Sequence, residues 1–341
     1  MMLVSELREL LKKYNEEDLR LLISEMYKAM PKKLREDKDI DALLQDVHGY
    51  LRIRKVERKQ DRQIDLNDLK PEIDQFIDYA YKQYYFAPNS FVHKKERPKW
   101  RFKAKDYIKS LQSVSVEGEE GRTATNLLEK LYEMLCYACG YYIFNTDNPF
   151  RSVGIEQTVL LDIILKRKLG SGISQESVKS AVVLVINSRV DSETLHSYLI
   201  NVLVENLRSP DSKEIAVEQC MILKAELDGA KPNKSRKSWN SDFSDYERKE
   251  KINNLAETVF RLNIALCEFD EAIRYFKENN VERDSEVSLY VLLSLLLEYE
   301  LKEYWLREYD KAVKRGIKPR KTLEKTYEYI RENDKLPDYF L

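Results

Sequence analysis

Residues 266–276 decide the fold class, and they read Leu266-Cys267-Glu268-Phe269-Asp270-Glu271-Ala272-Ile273-Arg274-Tyr275-Phe276. Apolar and aromatic side chains recur in this stretch every three or four positions, and charged side chains occupy most positions between them. That spacing is typical of an α-helix that buries one face. We therefore expect a helix here, packed against its neighbours through its aromatic residues and its small alanine.

The same helical spacing occurs along most of the 341-residue chain. The chain has only nine glycines and nine prolines, too few for the many turns of a β-sandwich or a barrel. Apolar residues make up 43% of the composition, which is enough to build a core although 34% of the residues are charged. The sequence therefore predicts an all-α protein.

A strong helix stop falls near the middle of the chain. The segment Asn145-Thr146-Asp147-Asn148-Pro149 combines turn-forming residues with a proline. We place the domain boundary there. The prediction is an irregular N-terminal helical domain over 1–150, followed by a domain of stacked antiparallel helix pairs over 151–341. Within the second domain, the polar stretch near 229–246 is expected to form an exposed loop.

Two short segments of the last third indicate a repeat. They are Asn280-Val281-Glu282-Arg283-Asp284 and Gly316-Ile317-Lys318-Pro319-Arg320, which begin 36 residues apart. Each separates two predicted helices and is similar to the turn of tetratricopeptide and pentatricopeptide repeats, and residues 266–276 resemble the second helix of a tetratricopeptide unit. The resemblance implies helix pairs stacked into an α-solenoid-like layer, with a concave side that binds a protein or peptide.

Side chains that carry catalysis or bind metals form no recognisable pattern. Cys136 and Cys139 make a CxxC pair, which elsewhere can be half of a zinc site or a redox pair. They fall inside a strongly apolar predicted helix, so packing in the core is the favoured interpretation. His48, His93 and His196 have no metal-binding or triad spacing. We therefore expect a non-enzymatic scaffold or adaptor protein, with no cofactor and no metal, that binds a protein or peptide.

The alternative interpretation is an RNA- or DNA-binding protein. Basic and aromatic residues occur together in the stretches 52–59, 94–105 and 231–239. Cations neutralise phosphates, and aromatic rings stack on bases. The candidate partner-binding residues are Arg97, Lys99, Trp100, Arg101, Lys103, Lys234, Arg236, Lys237 and Trp239.

The two tryptophans of these stretches each have a second interpretation. Trp100 has helical spacing with Ala104 and Ile108, so it is expected to anchor a helix in the core while the nearby lysines form a solvated face. Trp239 lies in a polar stretch, where an exposed binding residue and a loop docked through its aromatic ring are equally ordinary.

Charge and the N-terminus set further expectations. The chain has 58 basic and 59 acidic residues, so its overall charge does not favour binding to the phosphates of nucleic acid. Local basic patches remain compatible with nucleic-acid binding. Charged residues appear at Glu6 and Arg8 before any signal-like apolar run develops, and no later apolar run is long enough to cross a membrane. Four scattered cysteines are typical of a reducing compartment. The expected location is the cytoplasm.

Overall fold

The computed structural model describes residues 4–50, 65–170, 172–229, 240–282 and 284–341. These residues form helices and connecting turns, with no β-strand among them. The predicted all-α class is confirmed. Contacts divide the chain into two units, which meet in sequence between Asp65 and Leu66 and are described separately below.

The helices of the first unit whose bounds lie within the described residues are α1 (Val4–Leu11), α2 (Glu16–Ala29), α3 (Lys32–Asp37) and α4 (Ile40–Gln45). Asn15 begins α2 as its N-cap, where its side chain accepts a hydrogen bond of 2.8 Å from the amide of Asp18. The chain turns at Met30, and Pro31 then precedes α3. Large apolar side chains of these helices, including Ile23 and Met26, remain exposed, and α2 buries none of its side chains.

The second unit contains the remaining helices. They are α5 (Leu66–Tyr81), a 3₁₀ turn (Arg97–Lys99), α6 (Trp100–Ser113), α7 (Gly118–Gly140), α8 (Pro149–Val153), α9 (Gln157–Gly170), α10 (Gln175–Asn187), α11 (His196–Asn206), α12 (Pro210–Gly229), α13 (Asn240–Ala265), α14 (Phe269–Asn279), α15 (Ser285–Glu298), α16 (Lys302–Lys314) and α17 (Lys321–Asn333). Side-chain caps define several starts, such as Ser174 before α10 and Asp284 before α15.

Alternate helices of the second unit contact one another in chain order. Among the odd-numbered helices, α5 packs on α7, α7 on α9, α9 on α11 and α11 on α13. The Arg261 guanidinium on α13 then binds the Glu298 carboxylate on α15 with an N–O distance of 2.7 Å. Arg320, the N-cap of α17, pairs with Glu286 in the first turn of α15 at 2.6 Å. Packing contacts thus connect the odd-numbered helices from α5 to α13, and ion pairs connect α13 to α15 and α15 to α17.

The even-numbered helices make contacts of the same kind. Helix α10 packs on α12, and the Lys277 ammonium of α14 lies 2.5 Å from the Glu308 carboxylate of α16. Consecutive helices also pack together, as α13 does with both α12 and α14. From α9 to α13, several helices thus pack on the helix next but one, and single ion pairs make the corresponding connections from α13 to α17.

The predicted boundary near residue 150 lies inside this second unit. Helices on both sides of it pack together, because Lys168 of α9 forms a 2.6 Å ion pair with Glu129 of α7. The two odd-numbered helices before Asn145–Pro149, α5 and α7, run in the same direction, whereas α9, which follows this segment, runs opposite to α7. Residues 74 and 81 of α5 lie beside residues 130 and 137 of α7, so these two helices are parallel. By contrast, the start of α9 lies near residue 136 of α7 and its end near residue 125, so α7 and α9 are antiparallel.

In the last third, the predicted helix is present from Phe269 onward, whereas residues 266–268 precede it as a turn. Residues 269–279 form α14, and its side chains Ala272, Ile273 and Phe276 are buried. In both segments of the 36-residue spacing, the described residues (280–282 with 284, and 316–320) lie between one helix and the next. Trp305 is completely buried in the core that these helices share.

The predicted exposed loop near 229–246 is only partly described, and its last part is helical. Helix α13 begins at Asn240, whereas residues 230–239 lie outside the described part of the chain. The early turns of α13 are polar but are held by neighbouring helices, since Arg248 donates a hydrogen bond of 2.8 Å to the carbonyl of Leu227 at the end of α12. Long-range polar contacts therefore stabilise a helix in a stretch whose composition predicts a loop.

Candidate functional site

Trp100 belongs to the core. Its exposed fraction is 5%, and its ring stacks on that of Phe144 with centroids 3.8 Å apart and planes 10° apart. Ala104 and Ile108, which follow on the same face of α6, are also buried. The core interpretation of Trp100 is confirmed, and this tryptophan is a support for the basic stretch rather than a contact for a partner.

Of the basic residues around Trp100, Arg97 and Lys99 bond to neighbouring residues, whereas Arg101 and Lys103 are exposed on a helix surface. Arg97 holds the preceding loop, because its Nε donates to the carbonyl of Val92 at 3.1 Å and its Nη2 donates to the carbonyl of Asn89 at 3.2 Å. Lys99 pairs with Glu96 at 2.7 Å on the exposed 3₁₀ turn. The other two predicted residues are exposed side chains on the first turns of α6, Arg101 and Lys103.

A cleft opens where the start of α6 meets the loop after α7, and we call it the basic cleft. It has a volume of ≈ 530 Å³ and is lined by Tyr85, Phe86, Lys94, Arg97, Pro98, Trp100, Arg101, Asn145, Thr146 and Ser152. Three of these residues are cations and none carries a carboxylate. The lining is therefore suited to an anionic ligand.

Exposed aromatic side chains lie at the edge of the basic cleft. The rings of Phe86 and Tyr142 are stacked, with centroids 6.1 Å apart, and Tyr142 is 65% exposed. Phe102 is 55% exposed, and the Arg101 guanidinium lies over its ring at 4.9 Å from the centroid. Sequence reasoning missed Phe86 and Tyr142. The available signal was the aromatic residues at 84–86 and 141–142.

The other predicted binding residues are not described by the structure. Lys234, Arg236, Lys237 and Trp239 lie in the segment 230–239, and the basic stretch 52–59 lies in 51–64. These residues therefore remain sequence-based predictions, and the basic cleft is the described part of the predicted surface.

A second cleft lies between the starts of α9 and α11, and we call it the α9–α11 cleft. It has a volume of ≈ 570 Å³ and is lined by Arg151, Gly154, Ile155, Glu156, Gln157, Thr158, Asp191, Glu193, Thr194 and Tyr198. Arg151 and Glu193 form an ion pair across it at 2.9 Å. Exposed apolar side chains belong to or adjoin this lining, with Tyr198 50% exposed and Leu195 59% exposed. The combination of apolar residues and a polar rim is typical of protein interfaces.

A buried polar cluster supports this second cleft. Gln157 has no exposed surface, and its amide donates to the carbonyl of Arg189 at 2.8 Å and accepts from the amide of Asp191 at 3.0 Å. Beside it, the hydroxyls of Tyr132 and Ser188 lie 3.0 Å apart. These bonds satisfy buried polar groups and fix the segment between α10 and α11.

The cysteine pair lies in the same interior. Burial raises the pKa of Cys136 to about 12 and also raises the pKa of Cys139, so neither side chain is a thiolate at neutral pH. Gln157 donates a hydrogen bond of 3.4 Å to the Cys136 sulfur. Within the described ranges, no group of three or more His, Cys, Asp or Glu side chains is arranged to hold a metal ion. The thiols have the surroundings of core residues.

His196 is the other unusual ionisable group of the interior. It lines a cavity with Cys139, Asn187, Arg189 and residues of α13. As far as the chain is described, neither ring nitrogen has a hydrogen-bond partner. Burial lowers the pKa of this histidine to about 4, against a smaller opposing contribution from the backbone of Val185. The imidazole is therefore neutral at pH 7.

None of the helices in the described ranges is both long and apolar enough to cross a membrane. Comparison of the chain with models of protein families, with curated proteins and with solved structures gives no match.

Proposed function

We propose that this protein is a non-enzymatic scaffold that binds a protein or peptide through a helical-repeat surface. The observation that carries the proposal is the contact pattern of the second unit, in which α9, α10 and α11 each pack on the helix next but one and ion pairs connect α13 with α15 and α14 with α16. Such packing is typical of α-solenoids, whose extended surfaces bind other polypeptides. The tetratricopeptide-like features of the last third favour the same function.

Within this surface, the α9–α11 cleft is the proposed contact region. Tyr198 and Leu195 are exposed there, and tyrosine is among the residues that most often dominate the binding energy of protein interfaces. The rigid segment beneath them, fixed by Gln157, keeps the cleft in shape before a partner binds. A preformed site loses less conformational entropy on binding.

The test is selection of short peptides on the full-length protein from a random display library. Selected peptides are synthesised, and their affinities are measured by fluorescence polarisation. We expect Tyr198→Ala and Leu195→Ala each to weaken binding by about tenfold. The matched control is Tyr339→Ala, which removes a tyrosine that is 73% exposed at the other end of the unit.

Hydrogen exchange with and without a selected peptide provides the second readout. Protection of backbone amides in α9 and α11 agrees with the proposal. Peptides that bind all three variants equally, with protection only outside α9–α17, would refute it.

A further inference from the structure

We propose that the basic cleft binds single-stranded nucleic acid, with phosphates held by Lys94, Arg97 and Arg101 and bases stacked on Phe86 and Tyr142. This is a binding activity beyond the proposed scaffold role, and it involves a different part of the second unit. The ligand class follows from the charge of the cleft, from the fixed geometry of one cation and from the exposed aromatic rings at its edge.

The charge of the cleft is local. The whole chain has nearly equal numbers of basic and acidic residues, yet the lining of the basic cleft contains three cations without a carboxylate. The α9–α11 cleft shows the contrast, because its Arg151 is paired with Glu193 of the same lining. An unneutralised group of cations attracts a ligand that carries repeated negative charge, as a phosphate backbone does.

Arg97 is positioned before any ligand arrives. Two of its nitrogens donate to the carbonyls of Val92 and Asn89. A guanidinium has five N–H donors, so these bonds orient the group and leave other donors for a phosphate. Trp100, stacked beneath the cleft on Phe144, holds the first turn of α6 in place. The cleft therefore has a rigid cationic floor.

The aromatic rings favour nucleic acid over an acidic peptide. Phe86 and Tyr142 are both exposed, and their planes lie 25° apart. A single strand presents a flat base beside each phosphate, so it uses the cations and the ring faces together. An acidic peptide supplies the negative charge but no flat group at each charged position. Phe102, which packs beside Arg101, extends the same combination of ring and cation along α6.

Binding of fluorescently labelled oligouridine RNA and oligothymidine DNA to the full-length protein tests this proposal. Fluorescence anisotropy is measured over a series of salt concentrations, with an oligoglutamate peptide as the protein-like polyanion. We expect Lys94→Glu and Arg101→Glu each to weaken oligonucleotide binding by about tenfold at low salt, and to reduce the salt slope by about one for each phosphate that is no longer neutralised. Arg97 is left unchanged because it also holds the loop.

Matched variants separate the cleft from general surface charge. Lys318→Glu and Lys325→Glu reverse exposed lysines at the other end of the unit and should leave the affinity nearly unchanged. Tyr142→Ala should weaken binding by about fivefold or more because a stacking surface is removed, whereas Tyr339→Ala should not. Circular dichroism verifies that each variant keeps its helix content.

Each outcome decides the question. Binding of either oligonucleotide that depends on Lys94, Arg101 and Tyr142 supports the site, and a preference for RNA or DNA identifies the sugar that it favours. Equal decreases in affinity in the cleft and control variants overturn it, as does the absence of oligonucleotide binding at low salt. Binding of oligoglutamate without oligonucleotide binding also overturns it, in favour of an acidic protein partner.

Discussion

The stability of the second unit should depend on pH through His196. This half-buried side chain lines a cavity between α10, α11 and α13, and its buried ring nitrogens have no well-formed hydrogen bond to the described residues. Burial lowers its pKa from 6.5 to about 4, because the charged ring would lose its hydration. A change of this size corresponds to about 3 kcal/mol of unfolding free energy.

The sign follows from the two states of the chain. As the pH falls below about 6.5, the unfolded chain takes up a proton on His196, whereas the folded chain does so only near pH 4. Between these values the unfolded state binds more protons, so the free energy of unfolding falls by about 1.4 kcal/mol per pH unit. The contribution of the neutral ring to stability is therefore fully present above about pH 6.5 and is lost as the pH falls to about 4. Glu298, whose pKa is lowered from 4.5 by its hydrogen bond to Arg261, contributes stability that is lost as the pH falls through its folded pKa.

Two measurements test this prediction, both with His196→Gln as the comparison. In nuclear magnetic resonance of protein labelled at histidine, the resonance that this variant lacks belongs to His196, and it should titrate with a midpoint of about 4. In urea denaturation followed by circular dichroism, the native protein should lose more stability between pH 7 and pH 5 than the variant does. A midpoint near 6.5, or an identical pH dependence in the two proteins, would show that the ring is hydrated and the reasoning wrong.

Two further predictions concern the supports of the clefts. Gln157→Leu should lower the free energy of unfolding by about 2–5 kcal/mol, because the Arg189 carbonyl and the Asp191 amide both lose a buried partner. The backbone amide of Asp191 should then exchange its hydrogen faster than in the native protein. Unchanged exchange would contradict the prediction. Trp100→Ala should lower the free energy of unfolding, measured by thermal or urea denaturation, by about 3–5 kcal/mol. The control Arg101→Ala should change it by less than about 0.5 kcal/mol. Equal effects would mean that Trp100 is not a core residue.

Local periodicity carried most of the correct sequence-based predictions. The burial of Trp100 follows from its spacing with Ala104 and Ile108, since side chains three or four positions apart share one face of a helix. The same rule placed α14 and the turns around it. Neighbours along the chain determine these features, so a single sequence contains them.

Contacts between distant residues account for what the sequence did not reveal. Phe86 and Tyr142 meet because α5 and α7 run side by side, so the aromatic run of either segment does not by itself predict that they share an edge of the basic cleft. The third turn of α13 is held to the end of α12 by the bond from Arg248 to Leu227, and a polar composition gives no hint of that bond. Likewise, α7 already ends at Gly140 and Asn148–Pro149 begins α8, yet packing between α7 and α9 continues across this segment.

The chain of contacts from α9 to α17 has a mechanical consequence. Because α17 is tied to the rest through α15 and α16, for example by Arg320 on Glu286, tension applied at Leu341 would load these last contacts first. Helices would then detach in reverse chain order, each release shifting the load to the pair before it. The array would thus respond to pulling in successive steps, with its C-terminal helices yielding while those around the α9–α11 cleft stay folded.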